Sequence, residues 1–120
     1  MTESFDFRRF YDHADTFDSE GFASYFSPKG TLRFGDGPVA TGPEEIAQAL
    51  SEFFGSISSM SHVFVRMVRD GQEVALETIT TYGRADGRLV EVPAVAMYTF
   101  DKDGIAAGRI YSDLSKVFAP

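Results

Sequence analysis

Cysteine is absent from this 120-residue chain. That excludes a disulfide framework and thiolate metal sites, and it fits a reducing compartment. Histidine is nearly as scarce: His13 and His62 have neither His-x-His nor His-Glu-x-x-His spacing, so no metal site is expected. Positive charge is sparse too, with 11 Lys and Arg against 18 Asp and Glu and a net charge of -7. A phosphate backbone would be repelled unless the basic residues gathered on one face. Only Arg8 with Arg9 and Arg66 with Arg69 group locally, so nucleic acid is not an expected partner. No stretch approaches the roughly 18 apolar residues of a membrane span. MTESFDFRRF lacks the apolar run of a secretory signal, so the expected location is cytoplasmic, with no membrane partner. The glycines at 35, 37 and 42 lack the strand, lysine and helix of a phosphate loop, and no nucleophile-elbow serine occurs.

The chain is rich in apolar and aromatic side chains: 43% of its residues are hydrophobic, with 12 Phe and 5 Tyr. Folding at this length buries roughly two-thirds of the unfolded surface, enough for one domain over residues 1–120 with an aromatic core. The first half reads as helical. Phe7, Phe10, Tyr11 and Ala14 make an apolar stripe at i, i+3, i+4 and i+7, which predicts an amphipathic helix over about residues 5 to 15. Asp18 is an N-cap for a second short helix carrying Phe22, Tyr25 and Phe26, and Pro28 to Gly30 stops it. Thr31 to Phe34 reads as a short strand, followed by the turn Gly35-Asp36-Gly37-Pro38. Thr41-Gly42-Pro43-Glu44 opens a third helix with Ile46, Leu50, Phe53 and Phe54 on its inner face.

From His62 onward the pattern turns to β. Asp70-Gly71, Asp86-Gly87 and Asp103-Gly104 divide four strands, because glycine supplies the positive φ that hairpin turns need. Helices followed by a meander predict an α+β domain, with N-terminal helices packed in a strongly curved antiparallel sheet that encloses a cone-shaped cavity. Small molecules bind in such places.

FASYFSPKGTLRFGDGP, TGPEEIAQAL and the hairpins DGRLVEVP and DGIAAGRIYSDLS together resemble the nuclear transport factor 2-like, or cystatin-like, superfamily, and within it the SnoaL-like branch. The resemblance covers nearly the whole chain. It implies a cone-shaped fold, a homodimer through the sheet's outer face, and an activity that must be argued from the site, since isomerases, cyclases, dehydratases, hydrolases and silent proteins share the scaffold. Compared with ketosteroid isomerases, the phenol of the first helix falls on Phe10 with Tyr11 beside it, the base on Phe34, and the later acid near Val95 or Ala96. Compared with limonene epoxide hydrolases, which the hairpins resemble most, the triad falls on Ile79, Thr81 and Ile110, and the water-holding pair on Phe34 and Asp36. Neither set of catalytic charges is present.

Three residues stand as candidate catalytic groups. Asp36 is a general base at the pocket mouth or an ordinary turn residue. His62 is a neutral-pH proton shuttle or a strand-edge histidine. Asp113 shares a strand face with Tyr111 and Arg109, where it would pair with His62 if that face lined the cavity. By the epoxide-hydrolase comparison the opposite face, with Ile110 and Ser112, is the pocket side. The remaining expected pocket residues are Phe10, Tyr11, Phe34, Phe54, Ile79, Thr81, Ala96 and Tyr98. The expected ligand is a small, largely apolar molecule. If the protein is an enzyme, it is a cofactor-independent isomerase, cyclase, dehydratase or hydrolase using Asp36 or His62 as proton acceptor. The alternatives are a non-catalytic ligand binder and a protein-binding dimer.

Overall fold

The structure, a computed structural model, describes residues 4–120. Helix α1 spans Phe7–Asp15, and the Asp6 side chain caps it by accepting from the Arg9 N–H at 3.0 Å. Its stripe of Phe7, Phe10, Tyr11 and Ala14 is buried, as the periodicity predicts. Phe17 then takes a φ of 60°, and Asp18 caps the short helix α2, Ser19–Ala23, through the Gly21 N–H. Strand β1 runs Phe26–Phe34, β2 Val39–Thr41, and helix α3 Gly42–Phe54. Strands β3 (Ser59–Asp70), β4 (Glu73–Gly83), β5 (Leu89–Asp101) and β6 (Gly104–Ser112) follow as the expected meander. Gly71 and Gly87 sit in its turns at φ 60° and 90°, where a side chain would strain the backbone.

The six strands form one sheet in the order β2-β1-β6-β5-β4-β3, curled around the helices. Every neighbouring pair is antiparallel except β1 with β6, which is parallel. β1 differs from the sequence expectation. Pro28 to Gly30 does not end a helix but lies inside this strand, in the irregular stretch between the Phe26↔Ile105 and Thr31↔Ala107 pairings. A proline is tolerated there because the ladder is already interrupted. Gly30 is held by close approach, since a Cβ at that position would stand 2.5 Å from the Ile105 carbonyl oxygen.

Along β4 and β5 the even-numbered side chains point inward and the odd-numbered ones outward, the period-two pattern of a sheet with one covered face. The inner face meets the α1 stripe in an aromatic core. Phe10 stacks on Phe22 at 4.1 Å between ring centres and meets Tyr25 and Tyr98 edge-on. The turns are fastened by carboxylates. Asp86 is held down to about 2 by the Arg88 guanidinium and backbone N–H, and then by Arg84. Asp101 is lowered by the Ser27 hydroxyl, Asp113 by the Ser115 N–H and Asp18 by the Gly21 N–H. These groups bind protons less readily folded than unfolded. Their stabilisation is therefore complete above about pH 4 and is lost as the pH falls through the folded values. All four are exposed, so the effect of each is small. Thermal melts should show a steady fall in Tm as the pH drops from about 4 to about 2.

Candidate active site

The inner sheet face, α1 and α3 enclose a narrow cavity of about 30 Å³, space for roughly two water molecules. Helix α1 contributes Tyr11 and Ala14; α3 contributes Leu50, Phe53 and Phe54; β1 contributes Phe34. The strands add Met60 and His62 from β3, Thr78, Thr80 and Tyr82 from β4, Ala94 and Ala96 from β5, and Ile110 from β6. The wall is apolar apart from the hydroxyls and one imidazole. Among the described residues no lysine or arginine and no carboxylate lines it. Among the described residues no three His, Asp or Glu side chains gather closely enough to hold a metal ion.

His62 does not stand alone. Its Nδ1 lies 2.6 Å from Oδ1 of Asp15, and its backbone N–H donates to Oδ2 of the same carboxylate at 3.2 Å. Asp15 closes the last turn of α1, where the helix dipole disfavours an anion. Two sets of donors offset that cost: those of His62, and Arg8, two turns earlier on the same helix face. Arg8 donates to Asp15 Oδ2 at 3.0 Å and to the His62 carbonyl at 3.0 Å, with its guanidinium 4.7 Å from the centre of the Phe64 ring.

A carboxylate accepts only, so the proton of the neutral imidazole sits on Nδ1 and the lone pair on Nε2. The His62 side chain is 7% exposed, and Nε2 has no partner among the described residues. Among the described residues no buried side-chain nitrogen or oxygen lacks a partner, so Nε2 is accessible rather than sealed. The arrangement is an imidazole held at Nδ1 by Asp15, on a side chain that lines an apolar cavity.

Beside it, the Tyr11 ring meets the His62 ring edge-on at 4.7 Å, and the Tyr11 and Tyr98 hydroxyls are 2.7 Å apart. Burial raises both phenols above the ordinary tyrosine value, and burial pushes Tyr82 up to about 12. All three are therefore neutral hydroxyls at physiological pH. If Tyr98 donates to Tyr11, the Tyr11 proton is available to a ligand oxygen, and the two bonds reinforce each other.

Of the residues expected at the pocket, Tyr11, Phe34, Phe54, His62, Ala96 and Ile110 line the cavity. Tyr98 lies behind Tyr11, and Phe10 lies deeper, in the core against Phe22. Five placements are corrected. Ile79 and Thr81 belong to the outward parity of β4, and Thr78 and Thr80 occupy the inner face in their stead. Counting back from the Asp86-Gly87 turn slips by one position, and a one-residue slip turns every side chain to the other face. Asp36 is exposed in the turn after β1, where Gly37 donates to the Phe34 carbonyl, and it is outside the lining. Asp113 lies beyond the end of β6 and accepts from the Ser115 N–H, so it does not pair with His62. Ser112 donates to the Pro93 carbonyl instead of facing the cavity. Asp15 and Arg8 went unread as site residues. The available signal was that Asp15 follows Tyr11 by four residues, which puts both on one face of α1.

Helices packed in a curled sheet, with an apolar cavity between them, give this chain the α+β fold of proteins described as NTF2-like. The chain belongs to the SnoaL-like domain family, whose sequence profile matches residues 7–108. Its fold is similar to a protein with a ketosteroid isomerase-like fold from Catenulispora acidiphila, crystallised with trimethylamine. The TM-score is 0.85 at 18% identity, covering 94% of this chain and 88% of that one. It is also similar to a SnoaL-like polyketide cyclase, so named by inference, from Jannaschia, with a TM-score of 0.81 at 17% identity over 95% and 90% of the two chains. An LEH-like epoxide hydrolase from M. tuberculosis aligns with a TM-score of 0.74 at 16% identity over 93% and 83%. No functionally curated protein matches the sequence.

Proposed function

We propose that this protein is a cofactor-independent enzyme of the isomerase or cyclase kind. In it His62 is the proton acceptor, Asp15 orients it, Tyr11 is the hydrogen-bond donor, and the substrate is a small, neutral, largely apolar molecule. The observation that carries this reading is the Asp15–His62 pair, which leaves a free Nε2 at an otherwise apolar wall. The chemistry that suits it is removal of a proton α to a carbonyl. The C–H electrons move toward the carbonyl oxygen, the proton passes to Nε2, and Asp15 stabilises the imidazolium. Tyr11, backed by Tyr98, meets the developing oxyanion. Return of the proton at another carbon completes an isomerisation; in a cyclisation the carbanion adds to a second carbonyl carbon of the same molecule, the C=O π electrons move to that oxygen, and the imidazolium returns its proton there, with no net oxidation.

The SnoaL-like family and the cyclase-like and epoxide hydrolase-like folds support this class of reaction. The crystallisation of one structural relative with trimethylamine supports a small ligand. Val63, Val95 and Tyr111 are exposed on the sheet's outer face, which supports a homodimer formed there, and the expected location remains the cytoplasm. The narrowness of the cavity favours a second reading, a ligand binder without turnover.

Deuterium exchange from solvent into a panel of neutral cyclic ketones, followed by NMR, separates the readings. The wild type should catalyse exchange in at least one ketone, and His62→Gln should slow it by about 10²–10⁴-fold. Equal exchange by both proteins across the panel overturns the enzyme reading. A raised Tm with a ketone and no exchange establishes the binder.

A further inference from the structure

A second apolar cavity, of about 160 Å³, lies between β1, β2 and α3. Leu32, Pro38, Ala40 and Ala49 help line it, and among the described residues no charged side chain does. It shares Phe34, Leu50 and Phe53 with the cavity that holds His62. Between the two cavities the Phe34 and Phe53 rings stack at 5.6 Å between centres, 29° from parallel. The partition therefore includes two side chains that can turn. Phe53 is only partly buried and meets Tyr82 on one side and Phe118 on the other, both edge-on at 6.0 and 6.3 Å.

The two volumes suit different parts of one molecule. The inner cavity, about 30 Å³, has no room for a ring but offers Nε2 of His62 and the Tyr11 hydroxyl. The outer cavity is close to the roughly 150 Å³ known to accept benzene, and it has no polar anchor of its own. Neither lining carries a lysine or arginine to neutralise an anion. We propose that the cavity between β1, β2 and α3 is the binding subsite for the ring-sized apolar body of a neutral ligand. Rotation of Phe53 away from Phe34 joins it to the inner cavity, so that the ligand's oxygen-bearing end reaches His62. This inference rests on the reading of the His62 cavity as the reacting site. It adds where the unreactive part of the substrate sits and why the resting cavity is so small. Partly buried aromatic rings change rotamer without backbone rearrangement, so the joining needs no movement of β1 or α3.

The test uses naphthol, a neutral two-ring phenol, with methyl-labelled alanine followed by NMR. Ala40 and Ala49 report on the outer cavity and Ala94 and Ala96 on the inner one. All four signals should move with a single dissociation constant. Ala49 is exposed, so Ala49→Phe can fill the outer cavity from its rim without disturbing the core, and it should weaken binding at least about tenfold. Ala40→Leu, from the opposite wall, should weaken it as well, while unchanged melting temperatures establish that both variants fold. His62→Gln should weaken binding less than Ala49→Phe does, since it alters only the contact to the ligand's oxygen while the ring stays bound between β1, β2 and α3. Movement of Ala94 and Ala96 alone, or full affinity in Ala49→Phe, overturns the subsite and leaves the reaction assigned to His62 standing. Movement of Ala40 and Ala49 alone overturns the joining of the cavities. Absence of saturable binding overturns the proposal, and the reaction is then judged on ketone exchange alone.

Discussion

Asp15→Asn should lower the rate of catalysed proton exchange by about 10²–10⁴-fold while leaving the fold intact. The size of the effect follows from which way the amide must point. Oδ2 of Asp15 receives two donors, the Arg8 guanidinium and the His62 backbone N–H, whereas Oδ1 receives one, from the imidazole. In the asparagine variant the amide oxygen is drawn to the side with two fixed donors, and the NH₂ group is turned toward Nδ1. The imidazole must then accept at Nδ1 and carry its proton on Nε2. A base that already holds a proton at the cavity cannot take one from the substrate. The variant also loses the negative charge that stabilises the imidazolium after transfer. Asp15→Glu keeps the charge and should recover part of the rate if its longer arm still reaches Nδ1. Nitrogen NMR of His62 checks the tautomer directly. An unchanged tautomer with unchanged exchange would sink the role given to Asp15.

Phe10→Ala should destabilise the protein by about 3–5 kcal/mol, roughly 10–20 °C in Tm. The ring is wholly buried. Its removal takes away the stack on Phe22 and the edge contacts with Phe5, Tyr25 and Tyr98, and it opens a cavity that fixed neighbours cannot collapse to fill. The same helix positions Tyr11 and Asp15, so loss of its seating should also raise the exposure of His62. Phe10→Leu keeps most of the volume and should cost no more than about 1.5 kcal/mol. Chemical denaturation measures both. A loss under about 1 kcal/mol for the alanine variant would mean that α1 is not seated through Phe10.

The elements of this fold were legible wherever a local rule governed them. The α1 stripe, the Asp18 cap and the glycine turns of the meander follow from periodicity and backbone conformation alone. The extent of β1 was not legible, because Pro28 and Gly30 read as a stop and their place in an interrupted parallel pairing depends on a strand far along the chain. The site divides in the same way. His62 was found from residue type, Tyr11 and Ile110 from the family comparisons, and all three line the cavity. Thr78 and Thr80 were missed because register fixes which parity faces inward, and a hairpin of uncertain turn length does not reveal it. Asp15 was missed because its partner is distant in sequence. Before folding, nothing separates it from the solvated Asp12 one turn away.

The parallel pairing of β1 with β6 also bears on how the chain reaches its native state. β1 is the first strand to be made, yet of its two neighbours one is the three-residue β2 and the other the last strand of the sheet. The meander of β3 to β6 can form from sequence-local hairpins, but the sheet is incomplete until its first long strand, β1, pairs with its last, β6. Closing so long a loop is slow, and until then β1 and β6 expose unpaired edges and the aromatic side chains of α1 lack their cover. The native protein should therefore appear late and cooperatively. The cavity, walled by both halves of the chain, forms only at that last step.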